Sequence, residues 1–189
     1  MKQKSIYVWE RMDEKTIEYC TVNYNDDIQI NSYITGVVED NPFHVEYGLR
    51  LNKKWQINSF SIKIFSRSEK TMSLTGQEDL NSAFVWKDEK GKPLPEFNGC
   101  NDIDISLTPL TNTLPIRRLS LPPNQPQIIN VLYINLPSGD LKPVKQRYTN
   151  LGNNKYLYES LDSDFKSEID INNEGFVTKY SIYWKLIKS

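Results

Sequence analysis

The stretch TNTLPIRRL, residues 111–119, interrupts a chain whose other segments read almost entirely as β-strands. Thr111 or Asn112 offers a side-chain oxygen to the orphan amides of a helix start, and Pro115 then falls in the first turn, where its missing N–H matters least. Leu114 and Leu119 are left as apolar anchors. The stretch therefore predicts one short helix, and the fold turns on what the strands do around it.

Upstream, residues 101–107 (NDIDISL) alternate strictly. Ile103, Ile105 and Leu107 take one face of a strand, and Asp102, Asp104 and Ser106 take the other, with the two carboxylates roughly 7 Å apart. Further strands are predicted over 5–11, 16–22, 28–38, 43–51, 55–66, 71–75, 84–87, 100–107, 128–136, 144–149, 155–160, 165–171 and 176–186. Turn chemistry separates them at Asp88–Gly91, Leu136–Asp140, Leu151–Asn154 and Asn172–Gly175. The pattern is a meander of hairpins, with Leu121–Gln127 (LPPNQPQ) as a stiff connection and no internal repeat.

The 189 residues are expected to form one domain, 1–189, with 38% hydrophobic and 12% aromatic residues supplying a Tyr-, Trp- and Phe-assisted core. A net charge of -1, with lysines interleaved among acids, provides no basic stripe and argues against a nucleic-acid partner. The apolar run Ile6–Trp9 is too short for the core of a signal peptide, and nothing approaches the roughly 18 apolar residues of a membrane-spanning helix. A cytoplasmic location is expected. Cys20 and Cys100 lie far apart without a C-x-x-C neighbour and read as buried free thiols.

Residues 99–121 (GCNDIDISLTPLTNTLPIRRLSL), 146–160 (QRYTNLGNNKYLYES) and 169–180 (IDINNEGFVTKY) together resemble the signature of a bacterial family described as "putative glycolipid-binding", long a domain of unknown function. The N-terminal YVWERMDEKTIEYC and the segment EYGLRLNKKWQINSFSI fit the same pattern. The resemblance implies a mainly β fold, a spiral β-roll in which a long antiparallel sheet of about fifteen strands wraps around a single α-helix and hides its edges. It also implies a distant likeness to bacterial lipoprotein carriers, and from that fold analogy a glycolipid ligand. The chain departs from the family pattern at two places. Leu51 and Asn52 stand where relatives carry Cys-Asp ahead of the tryptophan, here Trp55, and Ser181 stands where a proline follows the last tyrosine. A role for a carboxylate at position 52 is therefore not carried over.

Within such a roll the helix is the object enclosed, with Leu110, Leu114, Ile116 and Leu119 turned toward the sheet. Arg117 and Arg118 point about 100° apart, so at least one leaves the apolar interface. One arginine is expected to pair with Asp102 or Asp104, because a buried guanidinium demands a counter-charge; the alternative aims an arginine fork at a ligand phosphate, carboxylate or sugar hydroxyl. The aspartates suit glycoside cleavage by spacing, but adjacent arginines would hold both ionised where a general acid needs a raised pKa. His44, the sole histidine, has no nucleophile motif nearby and reads as an exposed strand residue. Residues 170–175 (DINNEG) match the opening of an EF-hand loop, yet Ser181 occupies the place of the bidentate glutamate, so a hairpin turn is expected. No metal or cofactor is implied.

The aromatics Tyr47, Trp55, Tyr148, Tyr156, Tyr158, Tyr180 and Trp184 suit either a core or a surface for sugars and lipid chains. Gln146 and Tyr148 share one strand face in a motif whose polar members no turn explains. The candidate ligand-binding set is accordingly Arg117, Arg118, Asp102, Asp104, Asn112, Gln146, Tyr148, Tyr158 and Trp55. The leading expectation is non-enzymatic binding of a glycolipid or another amphipathic small molecule in a cleft between helix and sheet. The rivals are a hydrolase or isomerase acting on a sugar or lipid, and an interaction module with no small ligand. Oligomeric state is left open.

Overall fold

The computed structural model describes residues 3–66, 69–80 and 83–189. Chain order runs through β1 (Gln3–Arg11), β2 (Thr16–Tyr24), β3 (Ile28–Val38), β4 (Asn41–Leu51), β5 (Ile57–Phe65), β6 (Glu69–Glu78), β7 (Phe84–Lys87) and β8 (Asp102–Ile105). The helix α1 (Leu110–Leu119) follows, then β9 (Pro126–Asn135), β10 (Asp140–Gly152), β11 (Lys155–Ser160), β12 (Lys166–Ile171), β13 (Val177–Tyr180) and β14 (Trp184–Lys188). Among the described residues these fourteen strands make one sheet in the order β7-β6-β5-β4-β3-β2-β1-β14-β13-β12-β11-β10-β9-β8. Two hairpin meanders are thus stitched together where β1 pairs with β14.

All neighbours are antiparallel except β8 and β9, which run parallel. A parallel pair needs a crossover of a dozen or more residues, and here the crossover contains α1. That connection is the reason a strand-rich chain carries a helix at its centre. Leu110 and Leu114, both fully buried, join the main apolar cluster with Ile34, Val45, Leu49 and Ile62, while Ile116 joins a smaller cluster with Tyr148, Tyr156, Tyr158, Ile169 and Val177. Period-two alternation supplies the main cluster: along β4, Phe43, Val45, Tyr47, Leu49 and Leu51 all point inward.

Several expectations are corrected. The sheet is open, because β7 and β8 do not pair with each other. The segment between them covers the β7 edge instead, the Gly99 amide donating to the Phe84 carbonyl and the Trp86 indole to the Cys100 carbonyl, while the Asn101 amide prolongs the β8–β9 pairing by donating to the Asn130 carbonyl. The predicted strand 176–186 is two strands, split at Ser181, whose φ of 48° a proline ring does not reach. Trp55 precedes β5 in a turn rather than opening the strand.

The helix starts two to three residues earlier than a cap at Thr111 or Asn112 requires. Pro109 occupies the N-cap position, and the Leu110 amide donates to the Thr108 hydroxyl at 3.0 Å. Thr111 and Asn112 lie inside the helix, and Pro115 falls in the second turn, not the first. Ser120 closes the other end in a left-handed conformation, its amide donating to the Ile116 carbonyl. Cys20 and Cys100 are buried free thiols, and His44 lies on β4, stacked between Tyr33 and Phe65.

Candidate functional site

A polar network runs along one side of α1. The Thr111 hydroxyl accepts from the Ile105 amide and donates to Asp104 Oδ1 at 3.1 Å. Gln146 Nε2 donates to Asp104 Oδ2 at 2.7 Å, and the Tyr148 hydroxyl donates to Asn112 Oδ1 at 2.8 Å. The side chains that failed as helix caps are therefore drawn into bonds with β8 and β10, where burial makes an unpaired polar group expensive.

The two aspartates part company. Asp102 is 1% exposed and receives a two-pronged ion pair from Arg118, with Nε to Oδ1 at 3.1 Å and Nη2 to Oδ2 at 2.5 Å. Asp104 is bonded to Thr111 and Gln146, both neutral. Burial pushes the Asp104 carboxyl above the usual carboxylate range, against the pull of those two donors, and burial also raises Asp102 against the pull of Arg118. The expectation that arginines stand beside both aspartates is thus corrected: only Asp102 has one, and desolvation is the largest influence on each carboxyl.

Asp104, Asn112 and Gln146 line a cleft of about 350 Å³ that is also lined by Tyr158, Phe165 and Tyr180. These rings meet edge to face, with Tyr158 and Phe165 centroids 5.9 Å apart and Tyr158 and Tyr180 6.1 Å apart. Lys142 and Arg11 also line it. The arrangement brings hydrogen-bonding groups and aromatic rings to one cleft, within the size range of small-molecule sites. Tyr148 lies behind this cleft, fully buried.

Trp55 and Arg117 occupy a different cleft, of about 640 Å³, at the C-terminal end of α1. The Arg117 guanidinium sits 4.2 Å over the Trp55 ring and donates to the Glu174 carbonyl. Gly175 beside it has φ 81°, and a Cβ there would stand 3.0 Å from Arg117 Cγ. Gly175→Ala is therefore expected to lower unfolding free energy by about 1–2 kcal/mol, checked by urea denaturation. The predicted site residues are accordingly divided: Asp104, Asn112, Gln146 and Tyr158 line one cleft, Trp55 and Arg117 the other, and Asp102 with Arg118 forms a buried clamp between α1 and β8.

Sequence reasoning missed Glu18. On β2 it is fully buried and accepts from Ser32 Oγ and Thr108 Oγ1, each at 2.6 Å, and from the Tyr47 hydroxyl. Burial pushes its carboxyl up to about 7 despite those donors. Through Thr108, Glu18 holds the amide end of α1. The available signal was phase: Thr16, Glu18, Cys20 and Val22 all point inward, whereas Ile17 and Tyr19 are exposed.

The fold and cleft define a mainly β protein, one open sheet folded with a single crossover helix and carrying an aromatic-walled polar cleft. The sequence profile of the family described as "Putative glycolipid-binding" matches residues 6–185, and the chain belongs to that family. It is similar to the crystal structure of a DUF1089 family protein from Pseudomonas aeruginosa, at 33% identity and a TM-score of 0.78, over 86% of this chain and 88% of that one. A beta-barrel-like protein of DUF1849 from Brucella abortus shares the fold at 10% identity and a TM-score of 0.54, over 99% and 96% of the two chains. No curated protein matches the chain.

Proposed function

We propose that this protein binds a glycolipid or another amphipathic small molecule without chemically altering it, with the headgroup in the cleft between α1 and the sheet. Family membership supports a binding role. The observation that carries the finer reading is the pairing, in one cleft, of Asp104, Asn112 and Gln146 with the rings of Tyr158, Phe165 and Tyr180. Sugar hydroxyls need directional donors and acceptors, and the C–H faces of a sugar ring stack on aromatics. The space beside the helix is filled by Tyr148, Ile169 and Val177, so the cleft suits the headgroup, and the apolar tail stays outside it. The 1–189 chain acts as one domain in the cytoplasm, a location that agrees with its two unpaired, buried cysteines. No helix among the described residues is long and apolar enough to cross a membrane.

A second reading, hydrolysis of a sugar or lipid, draws on one observation: Asp104 faces a cleft with a raised pKa and neutral hydrogen-bond partners. One experiment separates the two. Native mass spectrometry of protein purified from its own host is expected to show a co-purified lipid, and a glycolipid panel is expected to bind and be recovered intact. Gln146→Ala is expected to weaken that binding about tenfold. Recovery of cleaved lipid, abolished by Asp104→Asn, would favour the enzyme. An empty protein that binds nothing in the panel would leave only the interaction module.

A further inference from the structure

The cleft at the C-terminal end of α1 is lined by three hairpin or turn segments and one helix end, and its geometry is set by interlocking contacts. Trp55 holds φ 64°, a left-handed conformation that bulky side chains rarely adopt, in a turn where the Asn52 side-chain oxygen accepts from the Lys54 and Gln56 amides. That turn lays the indole edge-on against Phe176, 5.7 Å between centroids, and beneath the Arg117 guanidinium, whose Cζ is 4.2 Å from the ring centroid. The guanidinium is tied on its far side to the Glu174 carbonyl, in the tight turn closed by Gly175. Arg117 is thereby fixed in place as part of the cleft lining.

Across from it, the β10–β11 hairpin turns through Asn153 and Asn154, both left-handed, at φ 51° and 59°. Asn154 Nδ2 donates to Asn173 Oδ1 at 3.1 Å, linking two separate hairpin tips. Once that bond is made, Asn154 still presents a carbonyl oxygen and Asn173 an amide N–H, an acceptor and a donor side by side. Ser120 and Tyr156 add hydroxyls to the wall.

We propose that this cleft is a carbohydrate-binding site, one that takes an uncharged sugar residue with its ring against the Arg117–Trp55 stack and its vicinal hydroxyls on Asn154 and Asn173. Charge does not single out an anion: the two cations, Lys53 and Arg117, are countered in part by the Glu174 carboxylate and by the partial negative charge of the carbonyls in the last turn of α1, and the small positive excess that remains is why phosphate is a separate arm of the test. Paired amides and hydroxyls around a planar stack match the mixed donors and acceptors of a polyol. The site shares with the preceding reading only the class of ligand. It uses different residues, and either can fail without the other.

The test is a side-chain amide and indole NMR titration of the full chain with methyl glycosides of glucose, galactose, mannose and N-acetylglucosamine, with inorganic phosphate as a separate arm. At least one glycoside is expected to shift the Asn154 and Asn173 amides and the Trp55 indole. Asn154→Gly, which keeps the left-handed turn, and Asn173→Ala, at an exposed tip, are each expected to weaken that binding about tenfold with an unchanged thermal midpoint. Shifts confined to Asn112 and Gln146 would overturn the second site while leaving the first cleft standing. Shifts caused by phosphate and by no glycoside would overturn the sugar assignment. No response at these residues to any probe, or a response that survives both variants, would overturn the site altogether.

Discussion

Replacing Arg118 with alanine is expected to lower the unfolding free energy by about 3–5 kcal/mol, the usual penalty for stranding a buried charge. Asp102 is 1% exposed, and both of its oxygens are engaged by the guanidinium. Without Arg118 the carboxylate has neither water nor a cation, so it takes up a proton more readily in the folded state than in the unfolded one. Its folded pKa, already raised by burial, then climbs further above the unfolded value. A raised carboxyl pKa gives stability that is present at low pH and lost as pH rises through the folded value. The variant's deficit is therefore expected to be larger at pH 8 than at pH 5 in guanidinium denaturation. Pairing it with Asp102→Leu, which removes the stranded charge, is expected to recover most of the loss. Arg117→Ala supplies the contrast: that side chain is half-buried and held by a ring face and one carbonyl, so about 1 kcal/mol is expected. Equal losses at the two positions would contradict the division of roles.

The strands were legible because their inward residues obey a period of two over long runs, as on β4, and because turn chemistry at Asn172–Gly175 and Leu151–Asn154 separates them. The Asn172 side chain accepts from the Glu174 and Phe176 amides, which is the hairpin that the DINNEG segment promises in place of a calcium loop. The helix was legible in kind and misplaced in phase. Thr111 and Asn112 have the chemistry of caps, and nothing local distinguishes a cap from a buried donor whose partners, Asp104 and Tyr148, are brought up by other strands. Single-sequence reasoning also could not foresee that β8 and β9 run parallel, since register and direction are decided by the pairing of distant segments.

The same physics explains why the candidate residues divide. Periodicity assigns a side chain to a face, and Gln146 and Tyr148 do share one, but it does not say which of two clefts that face reaches. Trp55 was placed on a strand, whereas the Asn52-centred turn throws it into a left-handed position toward the far end of the helix. Of the arginines, the pairing argument correctly required one aspartate partner. Which arginine reached it depended on helix rotation against β8, fixed only once Leu110 and Leu114 had entered the main cluster.

Glu18 carries the second large effect. Folded, its carboxyl is pushed up to about 7 from an ordinary 4.5, so between those values the folded protein holds a proton that the unfolded chain has released. Stability is then fully present below pH 4.5, falls as pH rises toward 7, and levels off above the folded value. At about 1.4 kcal/mol per pH unit the interval amounts to about 3 kcal/mol. Glu18→Gln keeps the volume and an acceptor for the hydroxyls of Ser32, Tyr47 and Thr108 but cannot ionise. It is expected to abolish about 2–3 kcal/mol of the stability loss between pH 5 and pH 8, so that at pH 8 it unfolds at higher denaturant than the parent. Glu18→Ala, by contrast, leaves those hydroxyls facing a void and is expected to destabilise by about 2–4 kcal/mol at either pH, because the hydroxyls of Ser32, Tyr47 and Thr108 all lose the carboxylate they donate to. Identical pH slopes in the parent and the glutamine variant would mean that Glu18 does not titrate in this range. The helix would then be fastened at its amide end by hydrogen bonding alone, and its attachment would be insensitive to pH.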